Sequence, residues 1–283
     1  MRSIIFILFI FIYTTCFGNE IDKLNTIQDV NNFLVKSVDK KFKNNLPLES
    51  DYKIVDTSKY GLNKFFKLDI DNNGLTDLII YGYRNLLVVL DNGKNNYKVI
   101  YLDRGAFLLN RATLVSIDTE AHPYKIIIEQ SEKPLNQFDT LIFKYNSFIE
   151  YNPKPLDVLV FEKIKFKSNY CYGTCPVFEM IITKDRSATY NAISYNDETG
   201  QYKAVIPTKE FDQLISLLKY LQLDKLRNKY EVNWTDDQII TTEITYNGKT
   251  KVISDYGAIG TFGLSNLYLM FFNFRKLIEW AKN

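Results

Sequence analysis

Two apolar periods run along this chain. A spacing near 3.6 residues marks three helices, and a period of two marks the strands between them. The first helix opens at Thr26, a good N-cap, with Asp29 where a capping box puts an acid and Ile27, Val30, Leu34 and Val38 as an apolar stripe. Short strand-like runs follow at 65–68, 78–81, 86–90, 97–101, 125–128 and 140–145, and Asp91-Asn-Gly93 predicts a hairpin turn.

Tyr151-Asn-Pro153-Lys-Pro155 interrupts this pattern, because two prolines in three residues favour an extended connection. Beyond it the period of two resumes with Ile164 and Phe166, then Phe178, Met180 and Ile182, and turns at Asp185-Arg-Ser187 into the run 188–193. A strand over 202–206 leads through Pro207-Thr208 to a helix with Phe211, Leu214, Ile215, Leu218 and Leu221 on one face. Ile240, Thr242, Ile244 and Tyr246 alternate up to Asn247-Gly248, the strongest hairpin signal present, and Val252 lies on the returning strand. From Leu264 through Leu267, Phe271, Phe274, Leu277 and Ile278 to Ala281 the spacing predicts a C-terminal helix. The expected fold class is α+β in two domains, 19–152 and 158–283, each a mostly antiparallel sheet with one or two helices packed on one face.

Residues 1–18 read as a signal peptide: Arg2, an apolar run over 4–12, and a small-residue end at Gly18 before polar Asn19-Glu20. The run is too short for a membrane span, which needs about 20 apolar residues. Lipidation of Cys16 is the rival reading, but Tyr13 and Thr15 stand where a lipobox wants Leu and a small residue. Cleavage would remove one arginine and no acid, so 35 basic against 33 acidic residues becomes 34 against 33. That balance offers nucleic acid no clustered basic face. Lys163, Lys165 and Lys167 read as a solvated strand edge. At 46% apolar and 15% aromatic the chain is globular, and export to a bacterial periplasm or beyond is expected.

Cys171 and Cys175, an even pair once the signal is removed, admit three chemistries. A disulfide fits an oxidising compartment, contributing about 2 kcal/mol for so short a loop. A redox dithiol usually has two intervening residues and a following helix, whereas here three intervene and a β-run follows. Cys-x3-Cys-Pro also superficially resembles the copper site of Sco-type chaperones. Those add a downstream histidine, and this chain has none after Cys175; His122, its one histidine, lies in the other half.

The run CYGTCPVFEMIIT at 171–183, with Trp234-Thr235-Asp236 and Lys251-Val-Ile-Ser-Asp255-Tyr256-Gly257, resembles an uncharacterised domain of secreted bacterial proteins. That family opens with Cys-x3-Cys-Pro and ends in a Tyr-rich helix with a Trp, here Trp280. The resemblance spans about 158–283 and implies a small extracytoplasmic α+β module, with no activity or catalytic residues to carry over.

In the first half, Asp69-Ile-Asp71-Asn-Asn73-Gly74-Leu-Thr-Asp77 repeats side-chain oxygens at positions one, three, five and nine, with the glycine where a calcium loop turns sharply. The Leu75 carbonyl can add a ligand. An EF-hand would need glutamate at position twelve, where Ile80 stands between strand-like runs. The segment therefore resembles the calcium loops of FG-GAP-type propeller repeats, although a single copy excludes a whole propeller. The other reading is an empty Asn-Gly turn. Asp236 and Asp237 could pair beside Trp234 as carboxylates next to a sugar-stacking indole, or could close a turn; Asp255 and Tyr256 admit the same two readings.

These features predict a secreted or envelope-associated non-catalytic binding module for a protein or glycan, with calcium as the one expected cofactor. The alternatives are an extracytoplasmic carboxylate-dependent hydrolase, acting on glycans, and a metal or redox accessory protein using the cysteines.

Overall fold

Hydrophobic runs without alternation identify the innermost sheet. In this computed structural model, which describes residues 19–38, 65–81, 86–104, 111–131 and 137–283, β2 (Asp77–Tyr81) and β3 (Leu86–Asp91) are buried on both faces. With β1 (Phe65–Leu68) and β4 (Tyr97–Tyr101) they form an antiparallel sheet in the order β1-β2-β3-β4. One face is covered by α1 (Ile27–Phe33), whose Val30 and Phe33 join Leu78, Ile80, Leu87 and Val89 in one cluster. The capping box is present: the Asp29 N–H donates to Thr26 Oγ1 (3.1 Å) and the Thr26 N–H donates to Asp29 Oδ2 (2.8 Å).

The other face meets a second four-stranded sheet, where the sequence reading expected one sheet in this half. β5 (Ala112–Asp118), β6 (Lys125–Gln130), β7 (Phe138–Lys144) and β8 (Ser147–Glu150) run antiparallel in chain order. Ile79, Val88 and Leu90 of the first sheet share a core with Leu114, Ile126, Ile128 and Leu141 of the second. A continuous apolar run needs cover on both sides, and stacked sheets provide it.

Asp103 joins these layers. Its carboxylate accepts the Leu86 and Ala112 N–H groups, each at 2.8 Å, and burial pushes its pKa up to about 6 against the lowering effect of those bonds. As pH rises the unfolded chain loses this proton first, so the stability held at low pH is lost between the ordinary value of 3.8 and about 6. Asp103→Asn should therefore gain on wild type by about 3 kcal/mol between about pH 4 and pH 7. Urea titrations at the two pH values would measure it; a constant gap would refute the assignment.

The second half is one sheet of eight strands. These are β9 (Phe161–Ser168), β10 (Val177–Thr183), β11 (Ser187–Ser194), β12 (Gly200–Val205), β13 (Lys229–Glu231), β14 (Ile239–Tyr246), β15 (Lys249–Tyr256) and β16 (Ala281–Lys282), in the order β13-β15-β14-β9-β10-β11-β12-β16. All pairs are antiparallel except β13 with β15. The helices α2 (Thr208–Tyr220) and α3 (Phe262–Leu277) cover one face through Leu214, Leu217, Leu267 and Phe271, against Phe166, Phe178 and Ile244. β9 lies inside the sheet, so Lys163, Lys165 and Lys167 are not an edge; they stand on its uncovered face, where Lys165 pairs with Glu179 at 2.9 Å.

α3 ends at Leu277, short of the expected Ala281. Ile278 turns to extended backbone, the Trp280 indole N–H donates to the Phe274 carbonyl at 3.1 Å, and the tail pairs with β12 as β16. An indole cap on the last turn competes there with helical periodicity. Among the described residues, no helix is long and apolar enough to cross a membrane. The expected signal peptide, Cys16 included, lies outside the described residues.

The halves touch closely. The 151–156 connection lies against the end of α2: the Asn152 N–H donates to Tyr220 Oη (2.8 Å), its amide donates to the Tyr220 carbonyl (2.7 Å), and the Leu156 N–H donates to the Lys219 carbonyl (3.0 Å). Ile142 and Ile149 of the second sheet belong to the core of the eight-stranded half, while Phe262 of α3 belongs to the core between the first two sheets.

Candidate functional site

The Asp-rich loop joins β1 to β2. Asn72 (φ 59) and Gly74 (φ 84) take left-handed backbone, which folds the loop inward over its own carboxylates. Asp69 accepts the N–H groups of Asn73 and Gly74, each at 3.0 Å. Fully buried Asp77 accepts from Ile70 (2.8 Å) on one oxygen and from Asp91 (2.8 Å) on the other. Carboxylate oxygens of Asp69, Asp71 and Asp77 come within 4.8 Å of one another. Burial pushes the Asp77 carboxyl up to about 7, and burial followed by the charge of Asp69 raises Asp71. Asn73 stands beside them, its Oδ1 accepting from the Leu75 N–H (2.7 Å) and its Nδ2 donating to the Asp91 carbonyl (2.8 Å). A cation held at the centre would favour the ionised form of every carboxylate there.

The disulfide Cys171–Cys175 is formed, with Cα atoms 5.8 Å apart. Its loop lies at the end of the eight-stranded sheet that also carries the connections 195–199, 232–238 and 257–261. The Tyr172 N–H donates to the Asp236 carbonyl (2.8 Å), and the Gln238 amide donates to the carbonyls of Asn169 (2.7 Å) and Pro176 (3.0 Å). The structure thus brings together Cys171, Cys175, Trp234, Asp236, Asp237 and Tyr256, which are scattered in sequence. Sequence reasoning missed Tyr170, Tyr172 and Tyr195 at this end; Tyr172 is 90% exposed. Their only sequence signal is that they are aromatics placed in turns, outside any alternating run.

Asp236 and Asp237 do not stand as an opposed pair. Asp237 accepts the Trp234 indole N–H (3.1 Å) on one oxygen and the Gln238 N–H (2.8 Å) on the other, and its own N–H donates to Tyr256 Oη (3.1 Å). This is the turn-closing arrangement, with Asp236 left exposed.

Asp255 is fully buried, so a ligand at the loop surface cannot reach it as the sequence reading allowed. One oxygen accepts from Ile259 (2.9 Å); the other accepts from Gly260 (2.9 Å) and from Tyr268 Oη (3.1 Å). Burial raises its pKa, while those bonds and the Arg104 guanidinium oppose the rise. Arg104 reaches across from the first half, donating to the Thr261 carbonyl (3.2 Å) and Ser265 Oγ (3.0 Å) with its guanidinium 4.6 Å from the Phe262 ring centre. Glu150 caps α3 by accepting from Phe262 (2.5 Å) and Gly263 (2.9 Å). Neither Arg104 nor Glu150 carries a motif, and only tertiary structure pairs them with α3.

Neither a curated protein nor a solved structure matches the chain. Residues 162–275, from β9 to the last turns of α3, are similar to a family described as a domain of unknown function (DUF6438).

Proposed function

We propose that this chain is an exported, non-catalytic binding protein whose first half is stabilised by calcium and whose second half presents a glycan-recognition surface. The observation that carries the binding reading is the disulfide-anchored sheet end. There Tyr170, Tyr172 and Tyr195 are exposed, and the connections 195–199 and 232–238 carry Asp197, Glu198, Asp236 and Asp237 with no lysine or arginine. Aromatic faces stack on sugar C–H groups, and carboxylate and amide groups around them hydrogen-bond sugar hydroxyls. A glycan array probed with the mature protein and with Tyr172→Ala tests it: selective binding that the substitution removes supports the surface. Binding only to proteins, or binding unaffected by Tyr172→Ala, refutes the glycan assignment.

Calcium is supported by the agreement of spacing and geometry at Asp69, Asp71 and Asp77, with the Asn73 side chain and the Leu75 carbonyl as further oxygen donors. The affinity expected of an extracellular site is about 10⁻⁴–10⁻³ M. Calcium at ten times its Kd should then stabilise the protein by about 1.4 kcal/mol. Asp71→Ala should abolish that gain, measured as a melting shift between calcium and chelator. Identical melting of wild type in both conditions would leave the loop as a turn.

A further inference from the structure

A cleft of about 310 Å³ opens where the 151–152 connection meets the end of α2 and the 222–230 segment. Its size is at the small end for ligand sites, and it sits at a junction where such sites commonly form. The hydrogen bonds around it leave one kind of capacity free. Tyr220 and Tyr230 both line it and are only 7% and 6% exposed. The Tyr220 hydroxyl accepts the Asn152 N–H (2.8 Å) and the Tyr230 hydroxyl accepts the Arg227 N–H (3.0 Å). Neither hydroxyl donates to an acceptor among the described residues, although a phenol both accepts and donates. Gln222 donates one amide hydrogen to Asn152 Oδ1 (2.6 Å) and keeps a second.

Charge around the cleft has the same sense. Lys225 lines it and is exposed, and Arg227 lies 4.6 Å from the Tyr230 ring centre; neither forms a salt bridge among the described residues. Lys144 lies over the Tyr220 ring at 5.7 Å. The one acid in the lining, Glu150, has both oxygens occupied by the first N–H groups of α3. The phenol and amide donors and Lys225 thus line a space whose wall at Ile149, Leu221 and Leu226 is apolar, with Arg227 and Lys144 behind the two tyrosine rings, outside the lining.

We propose that this cleft binds a small organic carboxylate, such as a uronic acid, its oxygens taking the hydroxyl protons of Tyr220 and Tyr230 with Lys225 at the rim. A phosphate is the poorer fit. The α3 N-terminus, the natural phosphate seat here, is filled by Glu150, and the Arg104 guanidinium is held by Thr261 and Ser265. Thr261, from the 257–261 connection, also lines the cleft, but none of the tyrosines or carboxylates proposed for the sheet-end surface and none of the calcium-loop residues does, so the test of the cleft does not depend on either.

The experiment titrates the full mature chain with glucuronate, with glucose and inorganic phosphate run in parallel, following the backbone amide signals of Asn152 and Arg227 by NMR. These two amides donate to the two hydroxyls and report directly on them. Glucuronate should shift both signals saturably and glucose should not. Lys225→Glu should weaken the affinity roughly tenfold with an unchanged melting temperature. Tyr230→Phe, scored only where its own amide spectrum stays native, should weaken it as well. Absence of a saturable shift with millimolar glucuronate overturns the proposal. Equal shifts with glucose, or saturation by phosphate alone, overturn the carboxylate assignment.

Discussion

Asp255→Ala is expected to cost about 3–5 kcal/mol of folding stability, the range seen when one partner of a buried charge network is removed. The loss has two parts. Three donors, the N–H groups of Ile259 and Gly260 and the Tyr268 hydroxyl, lose their acceptor in a site without solvent. Buried Arg104 also loses one of the charges that compensate it. Gly260 shows how closely the carboxylate is held: a Cβ there would lie 2.6 Å from Asp255 Oδ2. Asp236→Ala, in the adjacent exposed turn, should stay within about 0.5 kcal/mol of wild type. Urea unfolding of both variants separates a structural acid from a surface one. Equal and small effects would return Asp255 to the pool of ligand-contacting residues.

Phe262→Ala is expected to cost a further 3–5 kcal/mol as a separate variant, the range for truncating a buried phenylalanine. Its effect should also differ in kind. Phe262 starts α3, which belongs to the second half, yet its ring is buried with Leu114, Ile128 and Phe148 between the first two sheets. Removing it leaves a void where α3 reaches into the core of the first half, beside the reverse crossing made by Ile142 and Ile149, so the halves should unfold less cooperatively. Both tryptophans, Trp234 and Trp280, lie in the second half. Indole fluorescence therefore follows that half, while far-UV dichroism follows the whole chain. The two signals should coincide in wild type and separate in Phe262→Ala. Coincident transitions in the variant would mean that the junction is maintained by the 151–156 connection and Glu150, with Phe262 contributing only local packing.

Local order along this chain was readable without coordinates. Thr26 and Asp29 predict the α1 cap because a capping box is completed within four residues. Phe178, Met180 and Ile182 predict β10, and Asn247-Gly248 the β14–β15 hairpin, because alternation and turn chemistry are properties of neighbours. The Cys171–Cys175 pair and the oxygen spacing from Asp69 to Asp77 are equally local. What tertiary structure alone decided depends on residues far apart in sequence. A run such as Leu86-Leu-Val-Val-Leu states that both faces are buried, but the partner of each face is chosen by the whole fold: α1 on one side, the second sheet on the other. The strand β5 was missed because its apolar residues Ala112, Leu114 and Ile117 slip register at a bulge between Leu114 and Ser116. Asp255 looked like a surface acid because nothing adjacent to it announces Tyr268 or Arg104. The seam cleft mixes the two: its free donors, on Tyr220, Gln222, Lys225 and Tyr230, lie within eleven positions of one another, but only the packing of the 149–152 stretch against them closes a space around them.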